Sequence, residues 1–353
     1  MNFKVTVRPS GREFLVEGQE TVLAAALRQG VQLPYGCKNG ACGSCKGKLL
    51  EGELAYGIYS RSAMTPEEKD KGAALFCCSR PISDIAIEAR ELAGLGDIPI
   101  RKMPCRVASI QRPTADVAIV TLQLPATERL QYRAGQYLEF ILRDGSRRSY
   151  SIANAPHHEG PIELHIRHMP GGVFTDGLFG AKEPPVKERD ILRFEGPLGT
   201  FFLREDNPKP IILLASGTGF APIKAIAEHI FHKRLNRDEP GKPARRVVLY
   251  WGCRAKRDLY LPELPLAWSE EQPNFGYVPV LSDASPADEW TGRTGFVHRA
   301  VMEDFADLAT WQVYACGAPA MVDAARRDFT EQCGLPADEF FADAFTSQAD
   351  LAK

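Results

Sequence analysis

The sequence predicts a multidomain chain in three parts: a β-grasp domain, an antiparallel β-barrel and an α/β doubly wound domain. Three observations predict this. The chain opens on a strand-turn-strand-helix pattern, its middle is a series of short apolar runs, and its last part alternates wholly apolar strands with helices. Its 353 residues also exceed one typical core, since roughly 100 to 200 residues per domain gives two or three units.

In the first part, residues 3–8 (FKVTVR) and 13–17 alternate polar and apolar around a turn at Pro9-Ser10-Gly11, and lead into the helical stretch TVLAAALRQG, stopped at Gly30. Two more strands are expected at 46–50 and 84–88. ELAGLGDIPIRKMP lacks any periodicity and reads as a linker. The boundaries expected are a first domain over 1–92, a linker over 93–102, a barrel over 103–205 and the doubly wound domain over 206–353. The barrel rests on VAIVTLQL, YLEFIL, IELHIR and ILRFEG, separated by Gly and Pro. The last part rests on IILLA, a glycine turn, the helix FAPIKAIAEHIF, and the strands VVLYWG, YVPVL and WQVYAC. No internal repeat or low-complexity tract interrupts it.

Composition excludes several classes. Lys and Arg total 43 against 45 Asp and Glu, so no basic stripe suits nucleic acid. The N-terminus lacks the apolar core of a secretory signal, and no run is long enough to span a membrane. Nine cysteines, several of them clustered, suit metal ligation in a reducing compartment better than a disulfide framework. The expected location is the cytoplasm.

The most specific signal is PYGCKNGACGSC. It places Cys37, Cys42 and Cys45 as C-x4-C-x2-C, with Cys77 after 31 intervening residues, 46 to 76. This is the plant-type 2Fe-2S spacing. Gly36, Gly40 and Gly43 let the backbone wrap close enough to offer N–H groups to the cluster sulfurs. A structural zinc site remains an alternative, although it would more usually show two paired knuckles. So does a thioredoxin-like dithiol, which would need a strand before the motif and a helix after it. Cys105, Cys253 and Cys333 sit singly in apolar contexts and read as small core residues.

Two further constellations suit phosphate. In the barrel, RRSYSIAN carries Arg148-Ser149-Tyr150-Ser151. Then HIRHMPGGVFT supplies His165, Arg167, Gly171, Gly172, Val173 and Thr175, where bare amides opening a short helix suit a pyrophosphate. In the last part, LLASGTGFAPIKAI sets Gly217, Thr218 and Gly219 between an apolar strand and a helix, a second such turn. YACGAPAMV repeats the logic, with Cys316 ending a strand and Gly317 allowing close approach. His157, His158, His165 and His168 share no metal spacing and read as structural or cofactor-adjacent.

These motifs resemble the ferredoxin-NADP reductase superfamily, with a plant-type ferredoxin fused in front. The whole chain is similar to oxygenase reductase components, such as those of benzoate dioxygenase and soluble methane monooxygenase. Through PYGCKNGACGSCKG and FFADAFT it is more similar still to the CDP-6-deoxy-hexulose (delta-3,4-glucoseen) dehydrase reductases. The resemblance implies FAD in the barrel, a nicotinamide cofactor in the doubly wound domain and a 2Fe-2S cluster on Cys37, Cys42, Cys45 and Cys77. Cys77 is preferred over Cys78 because the family ligand stands four residues before a proline, here Pro81.

The resemblance also implies roles. Arg148 forks onto the flavin phosphates, Tyr150 lies against the flavin, Ser151 reaches the N5 region, and Cys316 stands beside the nicotinamide. Asp283 accepts from a ribose 2'-hydroxyl, which selects NADH, with Arg254 and Lys256 near enough to argue for phosphate. An aromatic near the C-terminus, Phe345 before Phe341, covers the flavin, in a run expected after the final strand.

Hydride carries two electrons and the cluster accepts one, so a flavin between them is the converter. The expected activity is that of an NADH:acceptor oxidoreductase serving a protein partner, an oxygenase or dehydrase component, with the reductase itself a monomer. The alternatives are a stand-alone flavin or quinone reductase and a redox-sensing interaction module.

Overall fold

Alternating burial along β1 (Asn2–Arg8) and β2 (Glu13–Glu17) builds the opening hairpin, with Val5 and Val7 facing inward beside Phe14 and Val16. The computed structural model describes residues 2–92 and 98–346. Thr21 caps α1 (Val22–Arg28), its hydroxyl accepting the Ala24 N–H at 3.2 Å, and the helix buries Val22, Leu23, Ala25 and Ala26. There follow β3 (Lys46–Glu51), β4 (Leu54–Tyr56), α2 (Pro66–Asp70), β5 (Ala73–Leu75), β6 (Ser79–Pro81) and β7 (Ile85–Glu88). The main sheet has the order β2-β1-β7-β3-β5, with β7 parallel to β1 and antiparallel to β3. This is the β-grasp arrangement.

The barrel comprises β8 (Arg101–Gln111), β9 (Val117–Gln123), β10 (Tyr137–Ile141), β11 (Arg147–Ser151), β12 (Ile162–Arg167), α3 (Val173–Leu178) and β13 (Ile191–Leu198). Its order is β11-β10-β13-β8-β9-β12, antiparallel throughout. The ring closes where Ile152 bridges Leu164 and the Ala153 N–H donates to the Glu163 carbonyl at 2.8 Å. Closure removes the open edges.

The last part runs through β14 (Ile211–Ser216), α4 (Phe220–His232), β15 (Val247–Cys253), α5 (Glu263–Glu271), β16 (Phe275–Leu281), β17 (Arg293–Thr294), α6 (Val297–Asp304), β18 (Gln312–Gly317), α7 (Pro319–Gln332) and β19 (Phe340–Ala344). The sheet order β17-β16-β15-β14-β18-β19 is doubly wound, and β14 pairs in parallel with both β15 and β18. Ile211 to Ala215 are wholly buried. Each such aliphatic side chain contributes roughly 1.5–3 kcal/mol, which is why a run without polar alternation makes a central strand. The aromatic run expected after the final strand is itself that strand: Phe340 to Ala344 form β19.

Contacts divide the described chain into two compact units. One gathers the residues up to Pro99 with Gly199–Phe201 and the chain from Asp343; the other comprises Ile100–Leu198 and Phe202–Ala342. The barrel and the doubly wound sheet therefore form one body, and two short segments depart from the boundaries expected from sequence. Of the expected linker, residues 93–97 lie outside the described residues, and 101–102 already belong to β8.

Candidate functional site

In the first unit the loop after α1 presents Cys37, Cys42 and Cys45, and the turn between β5 and β6 adds Cys77, so that four sulfurs group in two pairs. Cys37 and Cys42 are in side-chain hydrogen-bonding contact, and so are Cys45 and Cys77. The Cys37 N–H also donates to Cys42 Sγ at 3.4 Å. The contact within each pair pulls the Cys37 and Cys77 thiols down and pushes Cys42 and Cys45 up. Among the described residues no three His, Cys, Asp or Glu side chains converge as a single metal ion demands. Each pair offers two thiolates to one iron, which is what a binuclear cluster demands. Cys78 is also in side-chain contact with Cys77, and its S–H reaches the Leu75 carbonyl at 3.5 Å.

Gly40, at φ +85°, keeps the loop tight: a side chain there would stand 2.7 Å from the Ile58 carbonyl. A side chain at Gly36 would come within 3.4 Å of Ser44, Cys42 and the Asp343 carboxyl. Sequence reading missed Asp343, whose carboxyl is pushed up to about 7 by burial and then by Cys42.

In the barrel, β11 alternates its faces. Arg147 is ion-paired to Glu139 and Glu195, and Ser149 reaches Glu139 at 3.4 Å. On the other face the Tyr150 ring packs 5.7 Å from Phe140 and 5.6 Å from Phe174 of α3. Thus Tyr150 and the Gly171-Gly172 turn, 21 residues apart, meet through Phe174. Arg148 donates to the Arg147 carbonyl at 2.7 Å, and Ser151 is buried at the strand end.

The amides of the two glycines differ from expectation. Gly171 N–H donates to Asp176 at 3.1 Å and Gly172 N–H to the Met169 carbonyl at 2.8 Å, so both are engaged within the turn. Thr175 closes it by donating to the Met169 carbonyl at 2.9 Å. The helix-opening donors are then the N–H groups of Val173 and Phe174.

His165 and Arg167 also take different positions from those expected of flavin ligands. Both ring nitrogens of buried His165 are occupied, Nδ1 by the Tyr260 hydroxyl at 2.8 Å and Nε2 by Glu163 at 2.9 Å. Lys224 of α4 pairs with Glu163 and Glu228 and donates to the Ala153 carbonyl at 3.2 Å. Burial works to raise the Glu163 carboxyl, but His165 and Lys224 outweigh it and hold it at about 2. Burial pushes His165 down. This network joins barrel to sheet within the second unit. Only the side chain of His165 was legible in advance; Glu163, Lys224 and Tyr260 carried no motif.

Arg167 is held by Asp116 at 3.0 Å, and its Nη1 lies 3.6 Å from where a Gly217 side chain would begin. It faces the second phosphate turn rather than the barrel's own. There, Gly219 lies directly against the Cys316 carbonyl and Gly317 against Ser216, so neither position has room for a side chain. Trp251 Nε1 donates to the Gly217 carbonyl at 3.0 Å, and the Trp251 ring stacks on Phe220 at 4.1 Å. Thr218 and Cys316 are buried at this junction.

Beside it opens a cavity of about 330 Å³ lined by Arg167, Arg254, Arg257, Asp283, Ser285 and Asp288 among others. Asp288 is occupied by Ser285 and the Lys256 N–H. The Asp283 carboxylate and Arg254 guanidinium have no protein partner among the described residues, while the Asp283 N–H donates to the Arg254 carbonyl at 2.9 Å. Phe341 stacks on Tyr314 at 4.9 Å, and Phe345, in the first unit, is 38 % exposed.

Three domain families match in this order: a 2Fe-2S iron-sulfur cluster binding domain over residues 5–81, an oxidoreductase FAD-binding domain over 104–203 and an oxidoreductase NAD-binding domain over 213–327. The chain is 44 % identical over 345 residues to the CDP-6-deoxy-L-threo-D-glycero-4-hexulose-3-dehydrase reductase of Yersinia pseudotuberculosis, spanning 98 % of this chain and 99 % of the relative. It is 35 % identical to reductase component 2 of terephthalate 1,2-dioxygenase from Comamonas sp., spanning 98 % of each. The crystal structure of an Amycolatopsis cytochrome P450 reductase superposes with a TM-score of 0.75 at 34 % identity, over 98 % of this chain and 99 % of that one. The three matched domains, in one unbroken order along the full length of these relatives, make this chain an oxidoreductase that belongs to the family of 2Fe-2S, FAD- and NAD-binding reductases.

Proposed function

We propose that the protein takes hydride from NADH and releases the electrons singly, through FAD and then the 2Fe-2S cluster, to a partner protein. The grouping of four thiols as Cys37 with Cys42 and Cys45 with Cys77 carries this reading, because a binuclear cluster is a one-electron carrier. Bound FAD supplies the conversion between two-electron arrival and one-electron departure.

The chain's own residues bind and orient. Tyr150, Ser151, Arg148 and the turn at Gly171 to Thr175 would hold FAD, with Val173 and Phe174 as amide donors. Gly217, Thr218, Gly219, Cys316 and Gly317 leave room for the dinucleotide backbone to approach the sheet. Arg167, aimed at Gly217 by Asp116, serves the dinucleotide phosphates in this reading, and Asp283 its ribose. His165 keeps barrel and sheet in register.

The names of the relatives point to an oxygenase or dehydrase component as the acceptor. The chain works in the cytoplasm in this reading, as nine free cysteines suit a reducing compartment, and one protomer carries every site. Among the described residues no helix is long and apolar enough to cross a membrane. The test is an anaerobic NADH titration of the purified protein, containing about one FAD and two irons per chain. Flavin absorbance should change before the cluster signal. A cluster reduced by NADH in flavin-free protein would refute the order.

A further inference from the structure

The turn over the cluster loop is tied at both ends to segments that bear the candidate ligands. The Gly57 N–H donates to the Cys78 carbonyl at 2.9 Å, next to Cys77. The Ser60 N–H donates to the Gly40 carbonyl at 3.1 Å, between Cys37 and Cys42. Between these ties stands Ile58, 78 % exposed, the most exposed large hydrophobic residue among those described. A single exposed aliphatic is ordinary on a protein surface. One held rigidly over a redox centre, in a distinctive electrostatic setting, is not.

The stretches of chain that make the loop and this turn carry no carboxylate of their own. Residues 31–50 and 54–66 contain no Asp or Glu, yet they contain Lys38, Lys46, Lys48 and Arg61. Lys46 is neutralised by Glu68 at 2.7 Å. Arg61, one residue beyond the Ser60 tie, is exposed and has no ion pair among the described residues. The Asp343 carboxyl, which lies against the loop, is buried on the Gly36 side. The turn over the cluster loop thus presents an apolar point with the positive charge of Arg61 three residues on, in a chain whose net charge is −2.

We propose that Ile58 and Arg61 form the docking point for the electron acceptor, and that the acceptor is a protein whose docking face sets carboxylates around an apolar patch. Opposite charge brings the two faces together, and the rigid Ile58 sets the distance to the cluster. This inference rests on the cluster being the exit for electrons.

The test uses the holoprotein with two haem-protein probes, cytochrome b5 with its acidic haem edge and cytochrome c with its basic one. NADH-driven reduction is followed at low and high ionic strength. The expected result is a higher kcat/KM for cytochrome b5, falling as salt rises. Arg61→Glu should lower it on the order of tenfold and Ile58→Ser should lower it several-fold. Both variants should keep the cluster absorption and the NADH:ferricyanide turnover of the parent. Preference for cytochrome c, or Arg61→Glu and Ile58→Ser proteins with intact clusters and unchanged kcat/KM, would overturn the docking point while leaving the electron path standing. Undiminished cytochrome reduction in cluster-free Cys45→Ser protein would overturn the exit itself, and the docking point with it.

Discussion

Thr200 holds the peptide groups of Tyr35 on both sides. Its hydroxyl accepts the Tyr35 N–H and donates to the Tyr35 carbonyl, each at 2.9 Å, and its own N–H donates to that carbonyl at 3.1 Å. Both residues are buried, and they lie 165 positions apart. Tyr35 stands two residues before Cys37, so Thr200 fixes the entry to the cluster loop. Thr200→Val would leave the Tyr35 N–H buried without its partner, at a cost of roughly 1–3 kcal/mol. Faster iron release to a chelator and a lower denaturation midpoint for the first unit are the expected readouts. A variant matching the parent in both would show that the loop entry is held by other contacts.

Cys45→Ser should lose the cluster and keep NADH:ferricyanide activity, because Cys45 is buried and paired with Cys77 while hydride reaches the flavin without it. Iron content and steady-state turnover measure the two separately. Loss of both in a folded protein would mean that the cofactors are not in linear order.

NADH should exceed NADPH in kcat/KM by roughly tenfold, one unfavourable contact of about 1.4 kcal/mol between Asp283 and a ribose phosphate. Asp283→Asn should narrow that gap. Equal or better use of NADPH by the parent would give the cavity to Arg254, whose guanidinium also faces it without a protein partner.

The two C-terminal aromatics should separate. Phe341 stacks on Tyr314 and lies under the Arg204 guanidinium, 4.8 Å away, so Phe341→Ala should destabilise the second unit by roughly 1–3 kcal/mol. Phe345→Ala should retain FAD and cluster but alter the KM for NADH and increase peroxide release. Stopped-flow reduction and peroxide release unchanged from the parent would assign Phe345 to the surface.

Stability of the second unit should fall on acidification. Burial holds the folded pKa of His165 below the usual 6.5, so the unfolded chain binds a proton there that the folded one refuses below pH 6.5. That one group costs up to about 1.4 kcal/mol per pH unit until its folded pKa is reached. Glu163, held at about 2 against 4.5, adds a second loss as pH falls through that window. Thermal melts at pH 7.5 and 5.5 should show the first loss. His165→Gln should flatten it; an unchanged slope would place the proton uptake elsewhere.

The amino-acid sequence determined the three-part order and singled out the candidate cysteine set and both candidate phosphate turns, because each depends on short-range spacing: three thiols in a glycine loop, a glycine turn between strand and helix, an apolar run for a central strand. The short β4–β6 ladder and the five-residue α2 were illegible, being too short to develop a period. Tertiary structure alone decided what those residues face. Arg167 ends a barrel strand, yet Asp116, 51 positions earlier, turns it to Gly217 in the turn after β14. His165 carries no motif for its partners, Glu163 of its own strand and the distant Tyr260, nor for Lys224 of α4, which pairs with Glu163. The same holds for Thr200 with Tyr35, and for Ile58 over Gly40. Side-chain direction and burial are set by packing between segments distant along the chain, and no local pattern encodes that.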